Sequence, residues 1–182
     1  MKIKNFLFVL FFALYLGSGY AQNRYATETG NIWFQSDAPL EVIEARSGAM
    51  RGIVDVDKNA FAFTVNIRSF EGFNSPLQKE HFNENYMESK RFSRAIFSGK
   101  IIEKVDLNKD GSYEVRAKGK LIIHGIEQER IIKGQLKVAG DEMQLETEFT
   151  VLLEEHNIEI PKIVFQKIAE EIRVKIKAKL VK

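Results

Sequence analysis

The sequence lacks cysteine altogether: none of its 182 residues can form a disulfide bond or carry the lipid that tethers a bacterial lipoprotein. Disulfide stabilisation is therefore excluded even in a compartment that would permit it. A chain of this length can nevertheless bury a sizeable core as a single domain. We expect the mature protein to be free in solution.

Recognisable catalytic motifs are missing as well. No G-x-S-x-G, P-loop or G-x-G-x-x-G pattern occurs, so hydrolase and nucleotide-binding functions find no support. The three histidines, His81, His124 and His156, lie far apart and do not show the short spacings typical of metal sites. We therefore predict no catalytic residues, no metal site, no cofactor and no enzymatic activity.

Long apolar runs are also rare, and the one that occurs lies at the N-terminus. Lysines precede an apolar run at residues 6–16, which is too short to cross a bilayer as a helix. Gly19 and Ala21 provide the small residues of a signal-peptidase site. We interpret residues 1–21 as a cleaved signal peptide and residues 22–182 as the mature domain, which would be periplasmic or secreted. An uncleaved membrane anchor is the alternative.

An excess of charge of either sign is absent once this segment is removed. The full chain has 27 Lys+Arg and 25 Asp+Glu, and residues 1–21 contain Lys2 and Lys4 but no acidic residue. The mature chain therefore has 25 charges of each sign. A neutral domain gives little electrostatic reason to expect nucleic-acid binding.

Alternation of apolar and polar residues dominates the rest of the chain and predicts an all-β domain. The clearest alternating runs are residues 61–67, 113–123, 143–153 and 172–180. Turn-forming residues separate these runs. Long strands in an open sheet would leave unpaired edges, and closure into a barrel removes them. We predict an antiparallel up-and-down barrel, with a two-sheet sandwich as the alternative.

Two segments break the alternation. At residues 75–88, Ser75 is a favourable N-cap, Pro76 suits the first helical position and Gln78 completes a capping box, which predicts a short helical insertion. At residues 156–170 a proline interrupts the strand pattern and the apolar residues no longer alternate. A short helix or a covered loop is expected there.

The residues that suggest a function are apolar. Aromatic residues gather where the alternation breaks, and small residues occupy several predicted inward positions. A barrel lined in this way need not fill its interior, and a long hydrocarbon would suit it because each buried CH₂ contributes about 0.8 kcal/mol. From alternation and position we predict these ligand-binding residues: Phe63, Phe70, Phe82, Tyr86, Met87, Phe92, Phe97, Ala117, Gly119 and Phe149.

Two stretches resemble the YceI-like family. Residues 78–100 combine a short predicted helix (QKEHFNENYMES) with a strand that begins AIFSGK, and residues 119–126 read GKLIIHGI. The resemblance extends over essentially the whole mature chain. It implies an exported bacterial protein with an extended, lipocalin-like barrel of eight antiparallel strands and no common catalytic residues. Some members bind a polyisoprenoid chain inside the barrel.

We therefore expect an exported lipid-binding or carrier protein that holds a polyisoprenoid or similar long-chain amphiphile. Two alternatives stay open. One is an enzyme acting on a small hydrophobic substrate, for which His81, Glu84 and His124 are the candidates. The other is a structural or interaction module whose barrel is packed solid. The expected partner is a lipid-like small molecule, and we make no prediction of oligomeric state.

Overall fold

Eight antiparallel strands close into a barrel in the computed structural model, which describes residues 23–182. The strands pair in chain order and the last pairs with the first. They are β1 (Arg24–Asp37), β2 (Val42–Asp55), β3 (Ala60–Asn66), β4 (Arg94–Ile101), β5 (Gly111–Ile123), β6 (Ile126–Ala139), β7 (Glu142–Leu152) and β8 (Glu171–Val181). The predicted up-and-down barrel is confirmed, and the alternative sandwich is wrong. The predicted signal peptide at residues 1–21 lies outside the described residues.

Alternation places apolar side chains inside the barrel and charged side chains outside. In β8, Val174, Ala178 and Leu180 are buried, whereas the lysines between them are exposed. The outward lysines of β8 form ion pairs with carboxylates of β7: Lys175 with Glu148, Lys177 with Glu146, and Lys179 with Glu142. A register slip of one residue would turn the apolar row towards solvent, so the alternation sets this pairing.

In each of the first two strands, the buried positions switch from odd-numbered to even-numbered residues near the middle of the strand. Thr27 is buried early in β1, whereas Gly30 and Ser36 are buried after irregularities in its pairing with β2. In β2 the buried positions change from Ala45 and Ser47 to even-numbered residues. An extra residue at such a bulge reverses the face on which later side chains lie. This reversal explains why neither strand shows a long alternating run in the sequence.

One end of the barrel is packed solid. Tyr25, Leu107, Met143 and Leu180 meet there, each at most 1% exposed. The Tyr25 hydroxyl donates a hydrogen bond to the Gly140 carbonyl at 2.9 Å in the tight β6–β7 turn. We call this the closed end, because side chains fill it across the full width of the barrel.

The opposite end carries the two segments that break the alternation. Helix α1 (Pro76–His81) continues into a π-helical turn at Phe82–Tyr86. The Ser75 hydroxyl accepts from the Gln78 amide at 3.1 Å, and the Gln78 side chain accepts from the Asn74 amide at 3.0 Å. The predicted helical insertion is therefore present. Residues 153–170 form two short 3-10 turns, Glu154–His156 and Lys162–Val164, within an irregular loop.

Within residues 23–182, no helix combines the length and the apolar composition needed to cross a bilayer.

Candidate functional site

A cavity of about 540 Å³ occupies the barrel interior and extends to the end that carries helix α1. Its volume falls within the roughly 300–1,000 Å³ typical of small-molecule sites. Aliphatic side chains from the inner faces of the strands form its deep wall, including Val54, Ile101, Val115, Leu136 and Leu145. The barrel is therefore not filled by its own side chains, in contrast to the solid-packed alternative.

Four phenylalanines cluster where the cavity approaches helix α1. Phe34 of β1 stacks on Phe82 with 5.4 Å between the ring centroids. Phe73 lies 5.0 Å from Phe82, and Phe70 lies 5.3 Å from Phe34. All four rings line the cavity. They join β1, the loop after β3 and the helical insertion into one apolar wall.

A second aromatic group lies deeper, on β3 and β4. The rings of Phe61 and Phe97 are 4.9 Å apart, and those of Phe61 and Phe63 are 6.1 Å apart. On the next two strands, β5 and β6, the wall contains the smaller residues Ala117 and Gly134. Small side chains beside these large rings leave space for a flexible apolar chain.

Polar groups concentrate where the cavity opens. We call this opening the mouth; Ser36, Glu41, Gln78, His81 and Lys167 line it. The Glu41 carboxylate accepts a hydrogen bond from the side-chain Nε2 of Gln78 at 3.0 Å. A ligand with a polar end would find donors and acceptors here. Deeper in the barrel the lining is mainly apolar, and the Thr147 hydroxyl there already donates to the Lys133 carbonyl at 2.6 Å.

Tyr86 also lines the cavity near the helical insertion. Burial raises the pKa of its hydroxyl above the usual value of 10.0. A tyrosine hydroxyl is neutral at physiological pH even at its usual pKa, and the shift moves ionisation further away, so Tyr86 can donate a hydrogen bond.

The wall between β6 and β7 is only partly closed by backbone pairing. Pairing runs from Ala139–Glu142 to Gly134–Thr147 and stops there. Nearer the mouth, Arg130 of β6 bridges the two strands. Its Nη2 donates to the Thr150 carbonyl at 2.8 Å, and its Nη1 lies 2.7 Å from the Glu155 carboxylate. Side chains rather than a continuous ladder hold this part of the wall.

Eight of the ten predicted ligand-binding residues line the cavity: Phe63, Phe70, Phe82, Tyr86, Met87, Phe97, Ala117 and Phe149. They come from β3, β4, β5, β7 and the helical insertion with its preceding loop. The structure does not place Phe92 or Gly119 on the cavity wall.

Phe92 packs on the outside of the β5–β6 turn. Its ring meets the His124 ring edge-on at 4.6 Å, and the Arg91 guanidinium lies 4.8 Å from its centroid. The preceding helical turn carries the chain past the mouth before β4 begins, so Phe92 contacts the turn instead of the cavity.

Gly119 lies at a close approach between strands. A Cβ at this position would lie 2.3 Å from the Ser98 carbonyl oxygen. A larger residue there would push β4 and β5 apart before it reached the interior. Ala117, two residues earlier on the same face, does border the cavity and is the better position for testing it.

Several cavity residues were missed by sequence reasoning. The sequence pattern did not indicate that Phe34 faces inward, because an irregularity in β1 interrupts the alternation before it. Phe61 belongs to the same alternating run as Phe63, so that run could have identified it. Val164 and Ile168 come from the irregular loop, where no periodicity indicates which side chains face inward.

The residues considered for catalysis do not converge. His81 lies at the mouth, whereas the side chains of Glu84 and His124 make contacts elsewhere: Glu84 with Lys90 at 2.9 Å, and His124 with Glu88 at 3.0 Å. In the part of the chain that the structure describes, no three His, Asp or Glu residues cluster as metal ligands would.

A closed antiparallel barrel around an apolar cavity, solid at one end and open at the other, defines a lipocalin-like protein. The model of the YceI-like domain matches residues 27–180. The chain therefore belongs to the YceI-like family. No curated protein sequence matches it.

Solved structures with this fold are distant in sequence. A polyisoprenoid binding domain from Saccharophagus degradans has a TM-score of 0.71 at 10% identity, with 87% of this chain and 97% of that chain covered. Burkholderia cenocepacia BcnA has a TM-score of 0.68 at 15% identity, with 84% and 96% covered. The Campylobacter jejuni YCEI protein has a TM-score of 0.56 at 11% identity, with 100% and 91% covered. These likenesses show a shared fold.

Proposed function

We propose that this protein is an exported, non-catalytic carrier that holds a polyisoprenoid or similar long-chain amphiphile inside its barrel. The observation that carries the proposal is the apolar cavity of about 540 Å³, which has polar groups at its mouth and mainly aliphatic and aromatic side chains in its depth. The polyisoprenoid binding domain from Saccharophagus degradans has the same fold, which supports this class of ligand.

Burial of the chain would provide the affinity. Each CH₂ removed from water contributes about 0.8 kcal/mol, so a tail of several isoprene units would bind without any hydrogen bond in the interior. Phenylalanine and methionine side chains offer large, adaptable contact areas to a flexible chain. Shape would therefore select the tail, and the polar groups at the mouth would contact the head group.

The proposed location is the periplasm or the medium, supported by the signal-peptide pattern of residues 1–21. The intact mass of the exported protein tests this proposal. A mature chain that begins at Gln22 is expected, and retention of residues 1–21 would contradict it.

The direct test is mass spectrometry of an organic extract from natively purified protein. We expect a long-chain isoprenoid or related amphiphile in a fixed ratio to folded protein. A sample that has no bound lipid, and that takes up none when an isoprenoid quinone is added, would contradict the proposal.

A variant pair locates the bound lipid. Ala117→Leu adds bulk to the cavity wall, and Ala62→Leu adds the same bulk on the exposed face of β3. We expect Ala117→Leu to lower the amount of bound isoprenoid quinone and Ala62→Leu to leave it unchanged, with circular dichroism confirming both folds. Equal loading of the two variants would place the lipid outside the barrel.

A further inference from the structure

We infer that the mouth of the barrel docks on an anionic lipid bilayer; this inference rests on the proposed function. Large apolar side chains are exposed around this end of the barrel. Ile163 is 92% exposed and Phe165 63% exposed. The set, which we call the apolar rim, consists of Leu40, Val42, Leu77, Ile163 and Phe165.

The apolar rim is one surface built from three segments. The Leu40 amide donates to the Gln166 carbonyl at 2.9 Å, which joins the β1–β2 turn to the loop at residues 153–170. The Asn74 side chain donates to the Val42 carbonyl at 3.0 Å, which joins β2 to the start of helix α1. Leu77 of helix α1 lines the cavity itself. The rim is therefore continuous with the cavity wall.

The charges beside the most exposed part of the rim, around Ile163 and Phe165, favour an anionic partner. Residues 161–168 contain Lys162 and Lys167 but no acidic residue, and both lysines are exposed. The carboxylate of Glu41, which lies between the rim residues Leu40 and Val42, already accepts hydrogen bonds from the side chains of Gln78 and Asn74. Apolar side chains between lysines are typical of surfaces that insert into the boundary of an anionic bilayer, where lysine ammonium groups meet lipid phosphates.

Docking in this orientation gives the apolar rim a role in loading. The cavity opens between helix α1 and the loop that carries Ile163 and Phe165. With these two side chains in the acyl boundary, an isoprenoid tail would pass from bilayer to cavity without crossing water. Among residues 23–182, the opposite, closed end shows no comparable opening, so the difference between the two ends sets which one faces the membrane.

Co-sedimentation with vesicles tests the inference. The wild-type protein should bind vesicles of phosphatidylcholine with phosphatidylglycerol more strongly than vesicles of phosphatidylcholine alone. Ile163→Glu/Phe165→Glu should weaken this binding about tenfold or more. The matched control is Ile131→Glu/Val181→Glu, because these exposed residues lie on β6 and at the closed end. It should bind as the wild type does.

A double variant of the two lysines separates the electrostatic contribution to binding from the apolar one. Lys162→Gln/Lys167→Gln should reduce the preference for phosphatidylglycerol and retain binding to phosphatidylcholine. Wild-type protein that fails to bind either vesicle would overturn the inference and leave a protein partner as the occupant of the rim. Equal vesicle binding by the rim variant and its control would also overturn it.

Loading without a membrane distinguishes this inference from the proposed function. Farnesol added from solution should bind wild type and Ile163→Glu/Phe165→Glu equally, because neither residue lines the cavity. Normal farnesol binding without vesicle docking would refute the docking surface alone. Vesicle docking by a protein that takes up no isoprenoid would refute the carrier function and leave the docking surface standing.

Discussion

Gly119 on β5 pairs directly with Gly99 on β4, and a Cβ at Gly119 would lie 2.3 Å from the Ser98 carbonyl oxygen. Backbone atoms cannot yield as the end of a flexible side chain can. We expect Gly119→Ala to lower the free energy of unfolding by about 1–3 kcal/mol, the usual cost of overpacking. Urea denaturation measures this change.

Gly48→Ala is the matched control for this prediction. A Cβ at Gly48 would have only the Asn31 side-chain oxygen nearby, at 3.6 Å. We expect its unfolding midpoint to equal or slightly exceed that of the wild type. Equal midpoints for Gly119→Ala and Gly48→Ala would show that the β4–β5 contact is looser than the structure indicates.

The closed end gives a prediction about the inside and outside of the barrel. Leu180 and its cross-strand partner Met143 are fully buried. Leu180→Asp places a charge among apolar groups and should destabilise by about 3 kcal/mol or more. Lys177→Ala removes an exposed ion pair with Glu146 and should change stability by less than about 1 kcal/mol. Comparable thermal unfolding of the two variants would contradict the assigned register.

How much of this fold the sequence predicts depends on whether the alternation is continuous. In β8 the phase is unbroken from Ile172 to Leu180, so strand, register and buried face all follow from the sequence. In β1 an irregularity near Gly30 reverses the phase, and the pattern alone cannot show that Tyr25 and Phe34 both face inward. Only the pairing with β2 and β8 reveals it.

The residues of the candidate site were likewise predictable from the sequence only where the alternation along a strand is continuous. Ala117 and Phe149 are on the cavity wall because they lie on continuous strands. Gly119 has the same phase as Ala117, but its position at a close contact depends on the opposing backbone of β4. Phe92 is placed by the path of the chain after helix α1. Contacts between distant segments decide both cases, and periodicity carries no information about them.

Phe82 and Phe92 form a natural pair for testing the mouth. Phe82 lines the cavity and packs on Phe34, whereas Phe92 packs on His124 outside it. We expect Phe82→Ala to raise the dissociation rate of a bound isoprenoid quinone severalfold, because the ligand loses an aromatic contact. Phe92→Ala should leave that rate unchanged. Transfer of the quinone to an acceptor protein or to detergent micelles measures both rates.

His156 predicts a pH dependence of stability. It is fully buried, its Nδ1 lies 3.3 Å from the Ile126 carbonyl, and its Nε2 has no hydrogen-bond partner. Burial lowers the pKa of the imidazole below its ordinary 6.5, against the opposing effects of the backbone carbonyls and Glu155. In the unfolded chain the ring takes up a proton near pH 6.5, whereas in the folded protein it does so only at lower pH.

This difference in proton uptake decides the direction in which stability changes with pH. The unfolded state binds more protons below pH 6.5, so the stability contributed by neutral His156 is present above that pH and is lost as the pH falls below it. As the pH is lowered from about 7 to about 5, we expect the wild type to lose more stability than His156→Gln. Parallel pH profiles of the two proteins in chemical denaturation would contradict this prediction.

Arg130 holds the part of the β6–β7 wall where the backbone ladder has ended, through the Thr150 carbonyl and the Glu155 carboxylate. Arg130→Met should lower the free energy of unfolding by about 1–3 kcal/mol, because it leaves a carbonyl and a carboxylate without their donor. Arg173→Met is the control, since Arg173 makes an exposed ion pair with Glu148 at 3.5 Å. Its cost should stay below about 1 kcal/mol.

Hydrogen exchange distinguishes a local role of Arg130 from a general loss of stability. If the side chain closes the wall, amides at residues 126–133 and 148–152 should exchange faster in Arg130→Met than in the wild type. Amides of β1 and β2 should keep the protection that global stability gives them. Uniform acceleration in all strands would mean that the wall opens only with the whole barrel, and that Arg130 contributes no more than any buried polar contact.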